Sequence, residues 1–108
     1  MANVYKVLGQ SEPAATTETV LYTVPAATEA VISTITICNR GVDGTFRMGI
    51  SVGGGALADP DYIYHTLTVS ANDTFAATFG ITLAAADEIR IYASHANMSF
   101  NVFGTEIA

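Results

Sequence analysis

The chain has 108 residues, 50% of them hydrophobic and only 13% charged, with a net charge of −6 and a mean hydropathy of +0.38. Its four basic residues, Lys6, Arg40, Arg47 and Arg90, are scattered, so the positive footprint that phosphate recognition needs is missing and no nucleic-acid partner is expected. A single cysteine excludes an internal disulfide, and with neither a signal-peptide pattern nor an apolar run near the roughly 20 residues that cross a bilayer, no membrane partner is expected.

Period-two patterning runs from end to end and predicts eight strands, at about residues 3–9, 18–24, 30–38, 44–52, 61–68, 74–81, 87–93 and 97–103. In "AVISTITIC" the alternation places Val31, Ile35 and Ile37 on one face, with Thr34, Thr36 and Cys38 across the pleat. "GTFRMGISV" sets Phe46, Met48, Ile50 and Val52 together, and "TFAATFGI" does the same for Phe75, Ala77, Phe79 and Ile81. "DEIRIYA" opposes Ile89, Ile91 and Ala93 to Glu88, Arg90 and Tyr92, and "NMSFNVF" groups Met98, Phe100 and Val102. Turn chemistry separates the runs at Ser11-Glu12-Pro13, Val24-Pro25, Asn39-Arg40-Gly41, Gly53-Gly54-Gly55, Ala58-Asp59-Pro60 and Ala71-Asn72-Asp73. No segment shows a sustained helical period. The expected fold is all-β: a single antiparallel β-sandwich of about eight strands, jelly-roll-like or Ig-like, forming one domain over 1–108 with short terminal segments. A chain of this size buries about 65% of its unfolded surface, enough for a core without metal or disulfide.

The low charge fraction, against about 25% in ordinary soluble domains, admits two readings. One is a monomer with an Ala/Thr/Ser/Gly-rich surface. The other, which we expect, is a surface partly covered by other subunits.

Residues with chemical potential are few and dispersed. A catalytic Cys38 needs a base and an electropositive setting, but neither His65 nor His95 sits in a cysteine-hydrolase signature, and a packed thiol is the expected state. The histidines show no HxH or HExxH spacing, and no metal is expected. Asp59 and Asp61 bracket Pro60 and read as turn formers, as do Asp43 and Asp73. The Gly53–Gly55 run lacks a phosphate-binding pattern. No catalytic residue, cofactor or enzymatic activity is expected. A carbohydrate-binding surface built on Tyr62 and Tyr64 with Asp59 and Asp61 is the alternative from another functional class.

The stretch "YTVPAATEAVISTITICNRG" resembles a recurrent module of tailed-bacteriophage virion proteins, cyanophage-like in character, in which a Tyr-Thr-Val-Pro-Ala turn precedes an apolar strand closing in Cys-Asn-Arg. "VYKVLGQSEPAATTETVLYTVPAA" looks like the opening of that module, "ANDTFAATFGITLAAADEIRIYAS" like its later strands and "MSFNVFGTEI" like its ending. The resemblance implies a structural component of the virion without enzymatic activity. It would be a capsid decoration (cement) protein on the exterior of the head or a tail, baseplate or fibre-associated module, present in the host cytoplasm during assembly. The implied partners are further copies of the chain, as a trimer, and a major capsid protein or tail structural protein. Expected contact residues are Arg40, projecting from the turn after its strand toward an acidic neighbour or a partner subunit, and Tyr92 and Phe103, opposite the apolar faces of their strands.

Overall fold

Alternating apolar and polar residues suit an antiparallel sheet with one face dry and the other wet, and strands form along all eight such runs. A computed structural model describes residues 2–108, so of the domain expected over 1–108 Met1 lies outside the described residues. The strands are β1 (Asn3–Ser11), β2 (Thr19–Thr23), β3 (Glu29–Asn39), β4 (Gly44–Ser51), β5 (Tyr62–Val69), β6 (Thr74–Leu83), β7 (Glu88–Ala93) and β8 (Met98–Ile107), with one turn of 3-10 helix at Asp59–Asp61. No helix among the described residues is long and apolar enough to cross a membrane.

Two four-stranded antiparallel sheets result, ordered β1-β8-β3-β6 and β2-β7-β4-β5, here called sheets A and B. The pairs β1·β8, β2·β7, β3·β6 and β4·β5 are nested, and successive pairs alternate between the sheets. That wrap is a jelly roll; an Ig-like arrangement would not nest its strands in this way. The core fills the space between the sheets. Ile32, Ile35 and Ile37 from β3 and Met98, Phe100 and Val102 from β8 face Phe46 and Met48 from β4 and Ile89 and Ile91 from β7, all fully buried.

Two details depart from simple alternation. Val31 does not join Ile35 and Ile37: the register of β3 shifts between Ile32 and Thr34, so Ala30 and Ile32 are buried and Val31 is only half-buried, on the outer side. An extra residue in a strand reverses the faces on its two sides. The shift coincides with a close approach of backbones, since a Cβ on Gly104 of β8 would lie 2.1 Å from the Val31 carbonyl oxygen. Only glycine fits there. Val52 is likewise no core residue: β4 ends at Ser51, whose hydroxyl turns back to the Gly55 carbonyl at 2.8 Å, and Val52 is 80% exposed. Beyond it the three glycines sit at φ +77°, +91° and +104°, where a side chain would be strained.

The segments at the two ends are part of the sheet. β1 pairs with β8 from Asn3↔Ile107 onward, and Ala2 and Ala108 exchange backbone hydrogen bonds at 2.9 and 3.0 Å. β8 therefore continues past the expected boundary at 103 as far as Ile107.

Candidate functional site

The sandwich presents two outer faces of opposite character. The outer face of sheet B carries the ionic groups of β4 and β7. Arg90 bridges Glu88 at 2.8 Å and Glu18 at 3.2 Å, and the Arg47 guanidinium lies 4.5 Å from the centre of the Tyr92 ring. At this distance the guanidinium is attracted to the face of the ring.

Among the described residues the outer face of sheet A carries no charge across its body. Register sets Val7, Phe103 and Thr34 side by side, with Tyr5, Thr105 and Val31 in the adjacent row. Toward the far end come Gln10, Asn101 and Thr36, the first two joined by a 2.7 Å amide hydrogen bond, and then Ser99 and Cys38. Among the described residues formal charges lie at the rims, such as exposed Glu29 at one end and the Arg40–Glu12 ion pair at the other. Tyr5 is 78% and Val7 47% exposed, and with half-buried Phe103 they form an apolar edge to this face.

The three expected contact residues do not share a surface. Phe103 lies on the outer face of sheet A and Tyr92 on the outer face of sheet B, covered by Arg47. Arg40 sits at the end of sheet A, paired with Glu12 and donating from Nε to the Ser99 hydroxyl at 3.3 Å. Of the three, Phe103 alone belongs to the charge-free face. Tyr5 and Val7 complete that face but were not among the expected contacts. Their signal in the sequence is "VYKV", where apolar residues on both pleat faces mark an edge strand whose outer side is not polar.

Other candidate groups are used locally. Cys38 is half-buried between Thr74 and Ser99 and forms no hydrogen bond with either histidine. His95 donates from Nε2 to the Val42 carbonyl at 2.8 Å and accepts the Asn97 amide at Nδ1 at 3.1 Å, so both ring nitrogens are engaged. His65 touches the Tyr62 ring edge-on at 4.9 Å. Asp43, Asp61 and Asp73 accept backbone amides of Ala71, Ala58 and Thr74 at 2.8 to 2.9 Å, as turn-forming aspartates do. The carbohydrate platform is not assembled: Tyr64 turns inward, its ring 5.6 Å from Phe46 and 5.2 Å from Phe75, leaving Tyr62 without its partner. Among the described residues no cluster of three or more His, Cys, Asp or Glu could hold a metal ion. A recess of about 410 Å³ between the ends of β3 and β6 is lined in part by Asp87, whose two oxygens already accept the Gly53 and Ala84 amides at 2.9 Å.

One carboxylate cluster ties the edge of sheet A to sheet B. Glu106 meets Lys6 at 2.7 Å and accepts the Tyr22 hydroxyl at 2.6 Å. Lys6 first, then Tyr22, hold the Glu106 carboxyl below the usual carboxylate range. Burial, and then that same carboxylate, push the Tyr22 hydroxyl up. Because Glu106 is more acidic folded than unfolded, its contribution is complete above the unfolded value of about 4.3 and is lost as pH falls through its lower folded value. In thermal melts below about pH 4.3 the wild type should therefore lose more stability than Glu106→Gln. Parallel melting curves for the two proteins would contradict the coupling.

No protein-family description matches the chain, and no curated protein matches it.

Proposed function

We propose that this jelly roll is a non-enzymatic virion structural protein, a capsid decoration or cement protein that binds the exterior of a phage head and stabilises contacts between capsomers. The observation that carries the reading is the uncharged outer face of sheet A, centred on Phe103 and flanked by Tyr5 and Val7, while the outer face of sheet B carries the Arg90–Glu88–Glu18 network. The likeness of its ordered motifs to a phage virion module supplies the context. Jelly rolls serve in capsid domains and in lectins alike, so the fold alone does not choose a role, and the surface argues for one.

In this reading the face packs against further copies of the chain, as a trimer, and against a major capsid protein. A protein that binds the assembled lattice and not the open one stabilises assembly by mass action, and many modest contacts acting together give strong retention. The tail or fibre assignment differs in stoichiometry. Quantitative mass spectrometry of the particle separates a copy number that follows the shell lattice from one that follows a tail ring.

Phe103→Asp tests the surface. A charge placed where an aromatic anchor docks should cost about 2 kcal/mol or more of association, about thirtyfold in Kd, while the melting temperature stays near wild type. If the melting temperature instead falls as it would for a core substitution, Phe103 is a packing residue and the face is not the contact.

A further inference from the structure

The edge of a sheet leaves a row of backbone N–H and C=O groups unpaired, and folded chains blunt such edges with bulges, charges or short strands. Three of the four edges here are blunted. β1 carries Lys6 and a register break between Val7 and Gly9. β2 is only five residues long. β5 breaks register between Phe46 and Gly49 of its partner and holds Thr66 at φ +59°.

β6 differs. It is the longest edge strand at ten residues, with no charge and no proline, and it pairs only with β3. Its first half, Thr74–Thr78, runs in unbroken register against Thr34–Cys38, and the one shift lies beyond it, between Thr78 and Ile81. Along this half Thr74, Ala76 and Thr78 are exposed, while Phe75 and Ala77 point toward the core and are only half covered.

We propose that the free edge of β6 pairs antiparallel with β6 of a second copy about a two-fold axis through Ala76, joining two four-stranded sheets into one continuous sheet. The segment is self-complementary in that register. Thr74 stands opposite Thr78, giving cross-strand threonine pairs on the outer side. Phe75 stands opposite Ala77, large against small, and gains the cover it lacks within one copy. Charge selects a second copy as the occupant. Each copy carries −6, so identical chains approach best where neither presents a charge, and β6 presents none. A charged partner would find no counter-ion there. The nearest acid is Asp73. The two Asp73 carboxylates would stand six residues apart along the pair, about 20 Å, well beyond the Debye length of about 8 Å. The inference does not depend on the virion reading.

Directly opposed residues of an antiparallel pair have Cα atoms about 4.5 or 5.5 Å apart, within the disulfide range of about 4.4–6.8 Å. In a Cys38→Ser background, Ala76→Cys should therefore oxidise to a disulfide-linked dimer on non-reducing gels. Thr82→Cys, exposed on the same strand but off the axis, should remain unlinked. Ala76→Lys should abolish the two-fold species in sedimentation equilibrium with no change in melting temperature. Adding Phe103→Asp to the Ala76→Cys chain should leave the crosslink intact, which separates this edge from association through the outer face. Absence of the Ala76→Cys link, equal linking by Thr82→Cys, or a two-fold species that survives Ala76→Lys would overturn the proposal.

Discussion

Phe46→Ala should lower the free energy of unfolding by roughly 3–5 kcal/mol, the largest loss expected from any single side chain here. The ring is fully buried and stands where the two sheets meet. Its centroid lies 5.5 Å from Phe75 and 6.0 Å from Phe100, both in sheet A, and 5.6 Å from Tyr64 in sheet B. Tilted and edge-on contacts of this kind add to simple area burial. Truncation removes both and leaves a void. The void cannot close by a shift of β4, because that strand is hydrogen-bonded to β7 on one side and β5 on the other, and the cost of a cavity grows as the site's ability to collapse falls. Domains of this size are stable by about 5–15 kcal/mol, so the variant would lose a large share of the total. Urea unfolding followed by circular dichroism measures the effect. A loss below about 1 kcal/mol would mean that the aromatic cluster relaxes around the missing ring.

The same cluster shows how much of the fold was legible in the sequence. Phe46, Phe75 and Phe100 each stand at an inward position of an alternating run, and the period-two rule places them correctly because the pleat alternates without regard to the partner strand. The rule fails where a bulge inserts a residue. Val31 is displaced to the outer side in this way, and Leu21 and Tyr22 are both buried, though adjacent, because β2 shifts register between Val20 and Tyr22. A bulge is fixed by what the neighbouring backbone does, such as the approach of the Val31 carbonyl to Gly104, and that neighbour is about 70 residues away in the chain.

The candidate surface was legible to the same degree and for the same reason. The outward orientation of Tyr92 and Phe103 follows from alternation within β7 and β8. That they point in opposite directions from the molecule depends on β7 and β8 belonging to different sheets. Sheet membership is a property of long-range pairing, on which a local period carries no information. Charge adds what alternation leaves out: Glu88, Arg90 and Arg47 mark the outer face of sheet B as wet, and the absence of such residues around Phe103 marks the other face as the one able to lose its water.

Asn39→Leu should destabilise the chain by roughly 2–4 kcal/mol although leucine is apolar and the site is dry. The sequence presents Asn39 as a turn residue beside the single thiol. In the structure it closes β3, is fully buried, and joins three segments. Its amide nitrogen donates to the carbonyls of Val42 at 2.7 Å and Val69 at 2.9 Å, and its oxygen accepts the Gly41 amide at 2.9 Å. Leucine leaves all three without that partner. The Val69 carbonyl suffers most, since its bond is the buried one and water cannot readily replace the donor. Val42 is exposed, and its carbonyl keeps its bond from His95. Asn39→Asp supplies the control for shape. The side chain is nearly isosteric, but an ionised carboxylate only accepts hydrogen bonds, and the oxygen in place of the amide nitrogen would face two carbonyls. Aspartate should therefore be at least as damaging as leucine at neutral pH, although it preserves the volume and can still accept the Gly41 amide. Equilibrium unfolding of the two variants decides the point. If aspartate is tolerated while leucine is not, the site requires size or the Gly41 contact, and the two donated bonds are not what hold the β3 turn against the end of β5.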